Sequence, residues 1–134
     1  MNKYLNDSNF KLLVFLPLIC VILNFTLSFV YFSMNYGDIN QNTVESIDSL
    51  SLVVAVIFSI VMFRRDLSFL RENNAYCPSW GWYFIFPVYI YKRQKNNNLG
   101  MFYFWVYLIS TFLLTKALSK ILTALLISYI RSKY

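Results

Sequence analysis

Apolar and polar positions alternate in long blocks along the chain, and this pattern predicts an all-α integral membrane protein. Three apolar stretches, at about 12–33, 47–63 and 101–121, predict transmembrane helices. The second stretch is short for a span, so residues of its polar flanks must complete the crossing. The fourth, residues 80–91, would form a helix of about 18 Å, short of a hydrocarbon core of about 30 Å. The pattern therefore predicts one helical transmembrane domain over residues 1–134.

Local signals predict where several of these helices begin and end. Asn6, Asp7 and Ser8 are candidate caps for a helix that starts near residue 9, and Pro17 is a candidate kink. The second span is expected to run on past Leu67 and Leu70 until Asn73-Asn74 and the following proline stop it. Residues 37–48 are predicted to be an acidic loop, and residues 96–100 a plain linker.

The short stretch at 80–91 leaves two topologies open. If it returns to the side from which it came, the protein has three transmembrane helices plus one short re-entrant or interfacial helix. If it crosses, there are four transmembrane helices and both termini share a side. Length favours three spans, because short segments rich in Trp and Tyr are typical of the membrane interface, whereas counting Lys and Arg slightly favours four. The three-span arrangement is our prediction, with four spans as the alternative.

The charges that flank the spans predict how the protein is oriented. Arg64, Arg65 and Arg71 follow the second span, whereas residues 37–48 carry three acidic residues and no cation. Because Lys and Arg are retained on the cytoplasmic side, the N-terminus is predicted to be cytoplasmic.

The composition argues against nucleic-acid binding, against a metal or cofactor site and against catalysis. Hydrophobic residues make up 58% of the chain and charged residues 13%, and the net charge of +6 comes from short clusters that flank apolar runs. That distribution suits anionic headgroups of the lipid bilayer, so we expect no nucleic-acid partner. The chain contains no His, and its two cysteines, Cys20 and Cys77, form no motif. We therefore expect no metal, no cofactor and no catalytic residue, and the protein is predicted not to be an enzyme.

A polar stripe marks the last apolar run. Lys116 and Lys120 lie four residues apart on one helical face, and hydroxyl side chains recur at steps of four beside them, at Thr111, Thr115, Ser119 and Thr123. One interpretation is a bundle-facing stripe whose lysines snorkel to an interface. The other is a path for an ion or a substrate, because ionisable residues at membrane depth are commonly functional.

The region from 66 to 100 resembles a segment of uncharacterised small bacterial inner-membrane proteins. In that segment an Asp and a Leu follow a span, then come Pro-x-W-W, a short apolar run, Pro-V-Y-L-x-x-Arg and a later Leu-Gly. The matching residues here are Asp66, Leu70, Pro78, Trp80, Trp82, Pro87, Val88, Tyr89, Tyr91, Arg93, Leu99 and Gly100. The chain departs from the pattern in having a single proline where two are common, Ile90 for the Leu, and Gly81 between the tryptophans. The resemblance implies an all-helical protein of the bacterial inner membrane and no particular reaction.

These observations define the candidate functional or structural residues and the expected function. The candidates are Asp66, Trp80, Trp82, Pro87, Tyr89, Arg93, Lys116 and Lys120. Asp66 and Arg93 flank the same interface, so we expect a carboxylate–guanidinium bond that pins the short segment to the second span. The expected function is binding of another membrane protein, as an immunity, exclusion or accessory subunit, or self-association. The alternative is an oligomeric small transporter or channel subunit.

Overall fold

A computed structural model describes residues 5–34 and 41–133, leaving aside the side chains of residues 41 and 133. Six α-helices follow one another, with a 3₁₀ helix before the fourth and a π-helical turn before the sixth. They are α1 (Ser8–Val14), α2 (Leu16–Met34), α3 (Gln41–Glu72), the 3₁₀ helix (Trp80–Ile85), α4 (Phe86–Asn96), α5 (Phe102–Ile109), the π turn (Ser110–Leu114) and α6 (Thr115–Lys133). The described residues include no β-strand, and the predicted all-α fold is confirmed.

Among the described residues, three helical segments are long and apolar enough to cross a membrane: Leu16–Met34, Asn42–Glu72 and Phe102–Ser132. The protein is thus a membrane protein by the length and composition of its helices. The second and third segments, of 31 residues each, are longer than predicted from the apolar runs alone. At 1.5 Å per residue each extends about 46 Å, which exceeds the hydrocarbon core, so their ends reach beyond it.

The first span is preceded by a separate short helix because Pro17 interrupts the hydrogen-bond ladder. Asp7 caps α1, its carboxylate accepting from the backbone N–H of Phe10 at 3.0 Å. Phe15 ends α1, and Pro17, which lacks a backbone N–H, occupies the first turn of α2, where no such donor is needed. The predicted cap and the break near Pro17 are both confirmed.

Helix α3 begins earlier than predicted and ends where predicted. Residues 41–46, expected to belong to an acidic loop, are helical, and that expectation is wrong for them. The part of the expected loop before residue 41, including Asp38, lies outside the described residues. At the other end Asn74 adopts a left-handed conformation (φ 50°), while the N–H groups of Asn74 and Ala75 donate to Arg71 and Leu70. This is a Schellman cap, which satisfies the last carbonyls of the helix.

The segment between α3 and α5 returns to the end of α3 from which it started. Its two ends are joined side by side: the backbone N–H of Tyr76 donates to Asn97 Oδ1 at 2.7 Å, and Asn97 Nδ2 donates to the Tyr76 carbonyl at 2.9 Å. In the middle of the segment, the Tyr83 hydroxyl is hydrogen-bonded to the Ser59 hydroxyl of α3. Ser59 precedes Asp66 by seven residues, or about 10 Å along the helix axis. A segment whose ends are hydrogen-bonded to each other cannot cross a bilayer, which excludes the four-span alternative.

Residues 96–100 are more than the plain linker we predicted. Asn98 adopts a left-handed conformation (φ 52°), and the N–H groups of Asn98 and Leu99 donate to Lys95 and Gln94. This second Schellman cap ends α4 and leaves Asn97 free to bond Tyr76. A linker was predicted because a run of asparagines is typical of polar loops. Here Asn98 occupies the left-handed cap position, a conformation that asparagine adopts more readily than most residues.

The buried core lies at one end of the bundle. It joins the inner faces of α1, the end of α3 and α4, with residues of the 3₁₀ helix and α5 packed against it. Its buried members are Phe10, Leu13, Val14, Phe63, Leu67, Tyr89 and Ile90. The same end carries Lys11, Arg64, Arg65, Arg71, Lys92, Arg93 and Lys95, and we call it the basic end.

Candidate functional site

At the centre of the basic end, Asp66 of α3 and Arg93 of α4 form a bidentate ion pair. Arg93 Nη2 lies 2.7 Å from Asp66 Oδ1, and Arg93 Nε lies 2.8 Å from Asp66 Oδ2. Both side chains are fully buried. Paired N–H···O bonds of this kind are among the strongest hydrogen bonds in proteins. The predicted carboxylate–guanidinium bond is therefore confirmed.

Arg93 also binds the N-terminal segment. Its Nη2 donates to the Leu5 carbonyl at 2.7 Å, and its Nη1 donates to Asn6 Oδ1 at 3.1 Å. The guanidinium lies 3.8 Å from the centroid of the Phe10 ring, in cation–π geometry. A single side chain thus connects the start of the chain, the end of α3 and α4.

Two residues of α4 complete the cluster. Tyr89, one helical turn before Arg93, is buried and donates its phenolic O–H to Asp66 Oδ2. Burial, and then the neighbouring Asp66 carboxylate, raise the pKa of the Tyr89 phenol, so it remains a protonated donor. Gln94 Nε2 donates to Asn6 Oδ1 at 2.9 Å, while Gln94 Oε1 is buried without a partner among the described residues.

This arrangement is suited to holding helices together and leaves little capacity for chemistry. The Asp66 carboxylate accepts three hydrogen bonds, and both of its oxygens are engaged. Neither Asp66 nor Arg93 is exposed to a substrate. We call the cluster of Asn6, Asp66, Tyr89, Arg93 and Gln94 the clasp.

The other aromatic candidates lie outside the clasp. Trp80 is 51% exposed, and Trp82 lies under the ammonium group of Lys92, at 3.8 Å from ring centroid to Nζ. Pro87 occupies the first turn of α4 and does not break a helix in its middle.

Lys116 and Lys120 are exposed on α6 and do not join the hydroxyl side chains beside them. Ser119 and Thr123, three positions after Lys116 and Lys120, line a cavity together with residues of α2 and α3. Nearer the π turn, Thr115 donates to the carbonyl of Thr111. Positions 116, 119, 120 and 123 therefore share one side of α6, as predicted, and only the hydroxyl edge of this side lines the groove.

A groove of about 720 Å³ opens between α3 and α6, with α2 lying between them and packing against both. Hydroxyl, amide and carboxylate groups are interspersed with apolar side chains along it. It is lined by Cys20, Val21, Asn24, Phe25, Ser28, Asp48, Ser51, Leu52, Ala55, Ser119, Leu122, Thr123 and Leu126. We call this the polar groove.

The most polar point of the groove is the contact between α2 and α3. Asn24 Nδ2 donates to Asp48 Oδ1 at 2.9 Å, and the Ser28 hydroxyl donates to Asn24 Oδ1 at 3.3 Å. Asp48 lies sixteen positions before Arg64, about 24 Å along α3, which places its carboxylate near the far edge of the hydrocarbon core. Because α3 starts at Gln41, seven positions earlier, the Asp48 carboxylate lies beyond the first turn, and it anchors α2 through Asn24.

Sequence reasoning missed Asn6 and Gln94 in the clasp and the Phe10 ring beside it. A local signal existed for Gln94 alone: it follows Ile90 by four positions on the buried face of α4. The partners of Asn6 lie 87 and 88 positions away, and no periodicity reports such a contact.

Metal-binding capacity and similarity to known proteins add no further assignment. Within residues 5–34 and 41–133, no three Cys, Asp or Glu side chains converge as metal ligands, and both cysteines are free thiols. Comparison of the chain with protein-family models, curated proteins and solved structures finds no match.

Proposed function

We propose that this is a non-enzymatic protein of the bacterial inner membrane that binds another membrane protein by receiving one of its transmembrane helices in the polar groove. This mode of binding would suit an immunity, exclusion or accessory subunit. The clasp joins the N-terminal segment, α3 and α4 at the basic end, on the cytoplasmic side by the distribution of Lys and Arg, and would keep the bundle in place for the partner.

The observation that carries the proposal is the polarity of a groove that is open to the side at membrane depth. The groups of Asn24, Asp48, Ser119 and Thr123 all line it. Asn24 and Asp48 bond each other, and the Thr123 hydroxyl bonds the Ser119 carbonyl, but the amide and the carboxylate have capacity for further hydrogen bonds. Lipid tails cannot supply these bonds, whereas a polar partner can.

A transmembrane helix is the occupant that fits these groups best. Hydroxyl and amide side chains commonly bond between helices in membranes, and small residues allow close approach. Ser119 and Thr123 lie on α6 opposite the Asp48 carboxylate of α3. A partner helix that carries hydroxyl, amide or basic side chains one helical turn apart could bond Ser119 and Thr123 on α6 and the Asp48 carboxylate on α3.

The test is photocrosslinking in native membranes from a residue inside the groove. A photoreactive phenylalanine analogue replaces Leu122, which lines the groove, and the control replaces Ile121, which is 58% exposed beside it. We expect a protein adduct from position 122, with the crosslinked peptide mapping to a transmembrane helix of a different chain. Thr123→Leu combined with Asp48→Asn should reduce this adduct while leaving the free energy of unfolding within about 1 kcal/mol of the parent.

Three results would count against the proposal. Adducts to lipid alone would mean that the groove is filled by acyl chains. Equal adducts from positions 121 and 122 would show that no face is preferred. An adduct to a second copy of the same chain would indicate self-association in place of a separate partner.

A small transporter or channel subunit is the second candidate. It is favoured by Lys116 and Lys120, since an oligomer could cover these exposed cations and turn them towards an anion path. Anion current in reconstituted bilayers that is lost in Lys116→Leu would support this function. No current in several lipid mixtures would leave the binding function in place.

A further inference from the structure

We propose that the basic end holds one anionic phospholipid by its phosphate, in the cavity between α3 and the 3₁₀ helix. The cavity has a volume of about 490 Å³ and is lined by Ile60, Arg64, Leu67, Ser68, Arg71 and Trp80. It is separate from both the clasp and the polar groove, and the proposal does not depend on the proposed function.

The charges that line this cavity are not neutralised within the described residues. The buried Arg93 is paired with Asp66, and Lys92 and Lys95 lie over aromatic rings. By contrast, Arg64 and Arg71 have no carboxylate partner in the described part of the chain. Two free guanidinium groups on one wall of a cavity favour an anion, and a guanidinium fork matches a phosphate geometrically.

The position of the cavity indicates that the anion is attached to a lipid. Ile60, one turn before Arg64, extends the cavity towards the apolar part of α3 and is 37% exposed. Trp80 closes the other side, and its indole N–H is a donor at the level where amphipathic rings meet headgroups. In a bound phospholipid, the phosphodiester group would contact the arginines of this lining and the acyl chain would pack against Ile60.

The neighbouring carboxylate does not occupy the site. Glu72 accepts a hydrogen bond from the Ser68 hydroxyl at 3.1 Å and lies outside the lining of the cavity. Basic cavities beside transmembrane helices are a recognised way of binding anionic headgroups.

The experiment uses the purified full-length protein in a neutral detergent. Binding is measured by native mass spectrometry with phosphatidylglycerol, with phosphatidylcholine, and with inorganic phosphate alone. We expect phosphatidylglycerol to bind more tightly than phosphatidylcholine. Because one interfacial Arg contributes about a fivefold change in binding, Arg64→Gln with Arg71→Gln should weaken it about 25-fold.

Arg65→Gln is the matched control, because Arg65 is exposed on the same turn of α3 but does not line the cavity. It should leave phosphatidylglycerol binding within about twofold of the parent. Equal weakening by Arg65→Gln would overturn the proposal in favour of general attraction to the basic end. Equal binding of phosphatidylcholine, or inorganic phosphate competing at the same concentration as the lipid, would overturn it as well.

The single substitutions keep the test decisive if the double variant does not fold. Arg64→Gln and Arg71→Gln should each weaken phosphatidylglycerol binding about fivefold without changing the melting temperature measured in detergent without lipid. Trp80→Phe keeps the ring and removes the indole donor, and it should weaken binding less than either arginine substitution. No change in binding for either single arginine variant would contradict the assignment.

Discussion

The side chain of Asn97 closes a ring with the backbone of Tyr76, accepting a hydrogen bond at 2.7 Å and donating one at 2.9 Å. Twenty residues between them, including the 3₁₀ helix and α4, therefore start and finish at the same place. This contact distinguishes three spans from four, which apolar length and charge counting left undecided.

The first prediction concerns topology. In a cysteine-free background, new cysteines at Glu72 and Asn96, both exposed, should react with a membrane-impermeant maleimide from the same side of the membrane. A cysteine at Ser132, which is also exposed, should react from the opposite side. The measurement compares labelling in intact spheroplasts with labelling in inverted vesicles. Labelling of positions 72 and 96 from opposite sides would contradict the returning segment.

The second prediction tests the closing contact itself. Asn97→Ala removes both hydrogen bonds to Tyr76 and should lower the free energy of unfolding by about 1–3 kcal/mol. It should also make the neighbouring Cys77 thiol react faster with maleimide, measured with Cys20 replaced by alanine. Asn96→Ala is the control, because Asn96 is exposed at the end of α4, and its labelling rate should match the parent. Equal rates in both variants would show that the contact does not close the segment.

The third prediction concerns the ion pair of the clasp. Asp66→Asn or Arg93→Met leaves the remaining partner without its ionic counterpart, and each should lower the free energy of unfolding by about 3–5 kcal/mol. The double variant removes both charges and should cost less than the sum of the singles. Unfolding in mixed detergent micelles measures all three.

Arg65→Met provides the control for Arg93→Met, since Arg65 is exposed on α3. It should change the free energy of unfolding by less than about 0.5 kcal/mol. Additive effects of Asp66→Asn and Arg93→Met would show that the two side chains are not coupled, whatever their distance.

The fourth prediction compares two glycines. Gly100 has φ +76° between α4 and α5, whereas Gly81 lies in the 3₁₀ helix without such a conformation, and an added Cβ meets no atom within 4 Å at either. Gly100→Ala should therefore destabilise the protein by about 1–2 kcal/mol through backbone strain alone. Gly81→Ala should have no cost of this kind. Similar melting temperatures for the two variants would argue against a left-handed residue at position 100.

Asp66 and Arg93 of the clasp could be predicted from the sequence, because local signals show where the two elements that carry them end. Arg64 and Arg65 mark where α3 leaves the apolar region, and Lys92 and Arg93 mark where the short segment leaves it. Two elements that end at one interface bring Asp66 and Arg93 to the same level, so their pairing could be predicted. Tyr89, also a candidate from the sequence, shares a helical face with Arg93 and bonds the same carboxylate.

The separation of Lys116 and Lys120 from the polar groove could not be read in the same way. Spacings of three and four residues place Lys116, Ser119, Lys120 and Thr123 on one side of α6, but they do not say which edge of that side meets α2. That choice depends on how α6 is rotated against α2, which is visible in the contact between Phe29 and Tyr129, 5.1 Å apart by ring centroids.

The sequence alone determined that the protein is helical, that it lies in a membrane and approximately where most of its helices end. Apolar runs, caps and proline act within one helix, over distances that the sequence displays directly. The tertiary structure decided that the short segment returns, that Asn97 bonds Tyr76 and that Asn6 and Leu5 bind Arg93. These contacts join positions 21 to 88 residues apart. They depend on the packing of whole helices, which no local pattern encodes.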